Sequence, residues 1–289
     1  MARGERDDVT GVETTGHEWD GIKELNNPLP RWWLLVLYAC ILYALVYTIF
    51  YPAWPTLSGY TKGLLGYNSR AEYYQEAAKA AAGQEQFTQR IAALGITEIS
   101  ADPQLLEFSL AGGRAVFNEN CAACHGVGGQ GRPTFPVLAD DKWLWGGSLA
   151  ELEQTIRHGV RSADDDATRQ SVMPRFGADA ILEPAAIDDV ANYVLSLNGS
   201  EVDAQSLDRG AKVFAENCVA CHGEKAEGKK EFGAPALNDN IWQFVSDPKS
   251  LVSQISLPRH GVMPAWTKRL SDDRIKMVAI YVHSLGGGQ

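Results

Sequence analysis

Polar and apolar positions change rhythm in blocks along this chain. The first 31 residues are polar, without a regular apolar period, and Gly21, Pro28 and Pro30 interrupt their later part. That pattern predicts disorder to about Gly16 and an ordered lead-in after it. From Trp32 to Tyr60 no residue is charged. The core of this run, WWLLVLYACILYALVYTIFY at 32–51, has the roughly 20 apolar residues that cross a bilayer as a helix. Trp32 and Trp33 at one end, with Tyr51 and Trp54 at the other, suit the aromatic belts of the two interfaces. Pro52 and Pro55 stop the helix. A cleaved signal peptide fits poorly, because the run is long, starts only at Trp32 and lacks a small-residue cleavage site. Tyr43, Tyr47, Phe50 and Trp54 share one face of the span, open to lipid or to a partner's helix. The blocks are therefore a segment at 1–31, a transmembrane helix at 32–52 and a connector at 53–107. Within the connector, the Ala-, Glu- and Gln-rich stretch 69–94 is expected to be helical, a spacer over the first domain or a partner.

Beyond residue 107 the pattern repeats. Gly113, Phe117 and Cys121 have the spacing of Gly210, Phe214 and Cys218. Pro136, Leu138 and Trp143 precede Pro235, Leu237 and Trp242 by a constant offset, and both halves contain His-Gly-Val (158–160, 260–262) and Met-Pro (173–174, 263–264). Both end in an amphipathic helix, with Ile187, Tyr193 and Leu197 matching Ile275, Tyr281 and Leu285. Repetition at this period predicts two domains of one mainly α fold, at 108–199 and 205–289, each with its own core.

Each half carries C-x-x-C-H, as CAACH at 121–125 and CVACH at 218–222. This is the attachment signature of c-type haem. Two thiols on one helical turn can each form a thioether to a haem vinyl group, and the adjacent histidine then lies under the iron. Cys121, Cys124, Cys218 and Cys221 are accordingly expected to hold two covalent haem c groups, with His125 and His222 as axial ligands. The 97-residue separation of the motifs does not suit paired zinc ligands. A redox C-x-x-C explains neither the second copy nor the histidines. For the sixth ligand the Met-Pro repeat offers Met173 to the first haem and Met263 to the second, the His/Met pairing that raises a haem potential. His158 and His260 are the rival ligands, although their shared turn suits hydrogen bonding near the haem edge. Pro136 and Pro235 could supply carbonyls that hold the proximal imidazole N–H, or simply shape a turn. His17 and His283 read as surface residues, and Cys40 as packing within the span.

Five cysteines leave only Cys40 outside the motifs, so no disulfide framework is on offer. A net charge of −10 argues against nucleic acid as a partner. With both irons six-coordinate and no hydrolytic constellation elsewhere, the chain is expected to move electrons rather than to catalyse.

HEWDGIKELNNPLPRWW (17–33), the single span ending in YPAWP (51–55) and the tandem haem motifs together resemble the FixP/CcoP-type dihaem subunit of cbb3-type cytochrome c oxidases. The resemblance implies one N-terminal transmembrane helix followed by two tandem class I-like cytochrome c domains. It further implies a single-pass protein of the bacterial inner membrane, N-terminus cytoplasmic and haem domains periplasmic, in a proton-pumping terminal oxidase. Electrons would come from a periplasmic donor cytochrome c. They would leave through the monohaem cytochrome subunit to the catalytic haem–copper subunit, where oxygen is reduced. His125, Met173, His222 and Met263 match the family's ligand positions. A dihaem peroxidase and a dihaem redox or gas sensor are the alternatives.

Overall fold

The computed structural model describes residues 4–239, 241–245 and 247–286. The chain divides into two compact units, residues 1–82 and 83–289.

The first unit opens with a hairpin of β1 (Thr14–Trp19) and β2 (Ile22–Leu25), so ordered strands begin inside the stretch expected to be disordered. Their turn is Asp20-Gly21, with φ of 49° and 82°. Positive φ at both centres is what a type I′ hairpin turn demands, and Asp-Gly is a pair that supplies it. Next, α1 (Arg31–Phe50) has a mean hydropathy of 2.2 over its most apolar window, and none of its residues is buried. Its 20 residues span roughly 30 Å, the thickness of a hydrocarbon core. Beyond it, β3 (Pro55–Thr56) and β4 (Gly59–Tyr60) form a short hairpin. The chain then turns back on α1, where Leu64 and Leu65 N–H donate to the Ile49 and Phe50 carbonyls at 3.0 and 3.1 Å. Gly63 permits this approach, since a Cβ there would lie 2.3 Å from the Phe50 oxygen. Tyr43, Tyr47, Tyr51 and Tyr67 form a series of ring contacts, tilted, stacked and edge-on in turn, with centroids 6.2, 4.6 and 5.6 Å apart.

The boundary between the units falls within α2 (Ser69–Ala93). The second unit continues through α3 (Ile96–Ala101), α4 (Pro103–Asn120), α5 (Ala122–His125), α6 (Leu149–His158) and α7 (Pro184–Ser196). The second repeat supplies α8 (Ala204–Asn217), α9 (Val219–His222), α10 (Pro248–Ser256) and α11 (Asp272–Leu285). Two hydrophobic cores result. One gathers Ile91, Leu105, Phe117, Trp143, Ile156 and Val278; the other gathers Phe176, Ile187, Val194, Phe214, Leu251 and Ile255.

These cores do not follow the sequence repeats. The first is built on α4 and α11, the second on α8 and α7. At Gly113 a Cβ would meet the Met277 carbonyl oxygen at 2.2 Å and the Tyr281 Cβ at 2.8 Å. At Gly210 the matching atoms are the Asp189 oxygen at 2.1 Å and the Tyr193 Cβ at 2.8 Å. Phe117 packs on Tyr281 at 5.4 Å, and Phe214 on Tyr193 at 5.3 Å. The terminal helices of the two repeats are thus exchanged, and the segments 108–199 and 205–289 do not each form a closed lobe. Chain connection gives the physical reason. Only residues 197–203 separate α7 from α8, and pairing neighbours across a short loop loses less chain entropy than a distant pairing. With α7 paired to α8, α4 takes the equivalent helix of the second repeat.

Lys276 of α11 ties the end of α2 to the first core. Its buried ammonium donates to the Ile91, Ala92 and Leu94 carbonyls at 3.2, 2.9 and 2.9 Å, and pairs with Asp272 at 2.8 Å. A cation there satisfies carbonyls that a helix end leaves open.

The exchange is testable by thermodynamic coupling. Phe117→Leu and Tyr281→Leu should be non-additive by about 0.5–1.5 kcal/mol, the worth of an aromatic pair. Phe117→Leu and Tyr193→Leu should simply add. Denaturant unfolding of the single and double variants measures both, and the opposite assignment would return α7 to α4.

Candidate haem-binding sites

Both motifs sit on the same local frame. Cys121 and Cys218 end α4 and α8, and the next turn closes back on them. The Cys124 and His125 N–H groups donate to the Cys121 carbonyl at 3.1 and 2.9 Å. Cys221 and His222 repeat this on Cys218 at 3.1 and 2.9 Å. A single turn therefore presents both sulfurs and the imidazole. Gly126 and Gly223 then leave the helix at φ of 78° and 83°, a backbone region that glycine enters without strain.

The loop that follows holds each histidine. His125 Nδ1 lies 3.1 Å from the Pro136 carbonyl oxygen, and His222 Nδ1 lies 2.9 Å from that of Pro235. A carbonyl only accepts, so Nδ1 carries the proton and Nε2 keeps its lone pair free. The pair of loops is fastened alike, with Gly131 N–H on the His125 carbonyl at 2.8 Å and Gly228 N–H on that of His222 at 2.7 Å. Burial holds both imidazoles below the ordinary histidine value, and the proline bonds only partly offset it. Both rings are neutral near pH 7, the form that ligates a metal. Burial pushes the Cys121 and Cys218 thiols up to about 11. A thiol held so high is not poised as a redox nucleophile.

The residues present fit a haem. In the second core a cavity of about 720 Å³ opens against Cys218, Cys221 and His222, walled by Phe214, Val190 and Trp242. That is the size and apolar character of a cofactor pocket. Met173 lines this cavity and packs on the second core. Met263 packs instead on the first core, with Cys121 and Leu138. The expected pairing gave Met173 to the first motif and Met263 to the second, whereas the methionines lie on the opposite cores. Each methionine travels with the exchanged helix that follows it.

The crossing is fixed by main-chain bonds. Met263 and Val160 exchange both N–H···O bonds at 3.0 Å, and Trp266 N–H donates to the Ile156 and Arg157 carbonyls at 3.2 and 3.1 Å. Reciprocally, Gly177 and Ala178 N–H donate to the Ser256 carbonyl at 3.2 and 3.0 Å. A Cβ at Gly159 would lie 2.3 Å from the Met263 oxygen, so the first His-Gly-Val turn is a seat for that methionine. His158 faces Asp165, with Nδ1 3.1 Å from its carboxylate. His260 borders the second cavity and hydrogen-bonds the Met173 main chain. Val160, which closes the first His-Gly-Val repeat, and Arg161, which no motif includes, lie where the chain crosses. Their only signal was the insertion that separates His158 from Met173 but has no counterpart after His260.

Known families match in three blocks. Residues 11–58 match the N-terminal domain of cytochrome oxidase-cbb3, FixP; residues 110–198 match cytochrome c; and residues 205–282 match cytochrome c oxidase, cbb3-type, subunit III. Among full-length relatives, the cbb3-type cytochrome c oxidase subunit CcoP of Azospirillum sp. (strain B510) is 53% identical, covering 100% of both chains. The subunit FixP of Rhizobium meliloti (strain 1021) is 50% identical over 98% of this chain and 97% of its own. CcoP of Cereibacter sphaeroides is 45% identical over 96% and 95%. With haem motifs, loops and helices repeated in register, and likeness running the whole length, the chain belongs to the CcoP/FixP family of cbb3-type cytochrome c oxidase subunits.

Proposed function

We propose that this chain is the membrane-anchored dihaem electron carrier of a cbb3-type oxidase, with ligands shared between its repeats. Cys121 and Cys124 hold one haem c, Cys218 and Cys221 the other. His125 and Met263 would hold the iron of the first, and His222 and Met173 that of the second. A haem c so ligated supplies a one-electron iron couple of raised potential. The chain's own part is to orient and to exclude water. Pro136 and Pro235 fix the imidazole tautomers, and the main-chain bonds of Val160 and Ser256 seat the methionine loops. The observation that carries this reading is the reciprocal packing of each methionine on the core that carries the other repeat's haem motif.

The anchor is α1, placed across the bacterial inner membrane with the N-terminus cytoplasmic and the haem lobes periplasmic. Periplasmic placement follows from covalent haem attachment, an extracytoplasmic process in bacteria. The partners are the monohaem cytochrome subunit and the catalytic haem–copper subunit of the same oxidase, with a periplasmic cytochrome c as donor.

Met173→His should lower the potential of the haem on Cys218 and Cys221, leaving that on Cys121 and Cys124 unchanged, because a second imidazole replaces the thioether. Redox titration of variants retaining a single haem motif reads this directly; a shift confined to the first haem would refute the shared ligation. Replacing residues 1–55 by a cleavable secretion signal should yield a soluble dihaem protein that no longer co-purifies with the oxidase from detergent-solubilised membranes. Retention in the complex would show that α1 is dispensable for assembly.

A further inference from the structure

The chain passes between the lobes twice, through residues 159–172 and 257–262, and Arg161 stands where the passages meet. Its Nε donates to the Gly261 carbonyl at 2.7 Å and its Nη1 to the Ser171 carbonyl at 2.7 Å. Gly261 and Ser171 each lie two residues before a methionine of the Met-Pro repeat. Arg161 itself holds a φ of 52°, a left-handed backbone unusual for a residue with a side chain. Its N–H donates to the Arg169 carbonyl at 2.8 Å, which closes the inserted loop. One side chain thus grips both methionine loops.

The guanidinium also lies on the wall of the cavity that contains Cys218, Cys221, His222 and Met173. It is half-buried, and among the described residues no carboxylate pairs with it. The other arginines buried to this degree are better provided. Arg157 has Glu153 and Asp272, and Arg169 lies over the Trp145 ring with Glu151 nearby. Burial alone moves Arg161 below the ordinary arginine value, with no anion opposing it. A desolvated cation without a counter-charge is costly unless the site's ligand brings one. Of the other cations on this wall, Lys142 reaches Asp239 at 3.9 Å, and Lys229 donates to the Ala220 carbonyl at 2.9 Å. Arg132, Lys230 and Arg259 are exposed.

We propose that Arg161 is a positioning residue for both methionine loops and the counter-charge to a propionate carboxylate of the haem held by Cys218 and Cys221. This rests on the shared-ligand reading above. A fixed cation beside a haem favours the reduced state, since reduction removes positive charge at the iron. Without it, a bare propionate would favour the oxidised state.

The test uses the full-length holoprotein with Arg161→Gln and Arg161→Lys. Mass spectrometry establishes two attached haems in each. Potentiometric titration then reads the two midpoints, and the red-end absorption band reports the methionine–iron bond. Arg161→Gln should lower the reduction equilibrium constant of the haem on Cys218 and Cys221 about tenfold, roughly 59 mV for one electron. Arg161→Lys should recover most of that potential, because it restores the charge without the two-pronged grip. An unchanged midpoint in Arg161→Gln overturns the proposal. So does an equal fall in both variants, which would leave Arg161 a tether only. Absence of the methionine band from the unsubstituted second haem would instead refute the shared ligation, irrespective of Arg161.

Discussion

Gly113 and Gly210 carry no side chain at the height where a second helix must lie against the main chain. There α11 comes within 2.2 Å of where a Cβ on α4 would stand, and α7 within 2.1 Å for α8. Interiors are packed too densely to absorb such an overlap by small shifts. Two notches, two aromatic ridges at Tyr281 and Tyr193, and one short connection between α7 and α8 therefore decide how the lobes are assembled. Everything downstream inherits the decision. A methionine loop precedes each terminal helix by about ten residues, and it cannot remain in one lobe when its helix seats in the other.

Exchange changes what a ligand substitution means. In a chain of independent cytochrome domains, a change in one Met-Pro loop would be felt by the haem of the same repeat. Here Met263 is bonded through its main chain to Val160, and the Met173 loop reaches Ser256. The first repeat's inserted segment is bonded to the methionine loops of both repeats. The insertion at 161–172, with its closing bond from Arg161 to Arg169, is the added length that lets the first repeat cross and still return to α7.

Much of this was legible in the residues. The uncharged run gave α1 within a residue at its start and two at its end, because apolar length alone defines such a helix. The C-x-x-C-H spacing and the proline carbonyls follow from local chain geometry, and both loops have it. The hairpin at Thr14–Leu25 was missed although Asp20-Gly21 encodes it, since composition outweighed a two-residue turn in the reading. Exchange lay beyond any pattern in the sequence. Ile187, Tyr193 and Leu197 repeat as Ile275, Tyr281 and Leu285, so either terminal helix satisfies either notch, and periodicity is blind to the choice. Lys276 was equally hidden: a lysine beside apolar neighbours declares its partners only once the end of α2 is in place.

A carrier with two redox sites profits from this construction. Lobes joined by a plain linker would drift relative to one another, because small polar contacts between domains hold weakly. Here, separating the repeats would strip α11 from Phe117 and Leu105 and α7 from Phe214 and Leu251. Ile187, Val190, Val194, Ile275 and Val278, all buried, would then face water. Each large aliphatic side chain exposed costs about 1.5–3 kcal/mol, so a handful already matches the whole stability of an ordinary domain. The repeats cannot part without unfolding. They are held together by hydrophobic cores that neither repeat can complete alone.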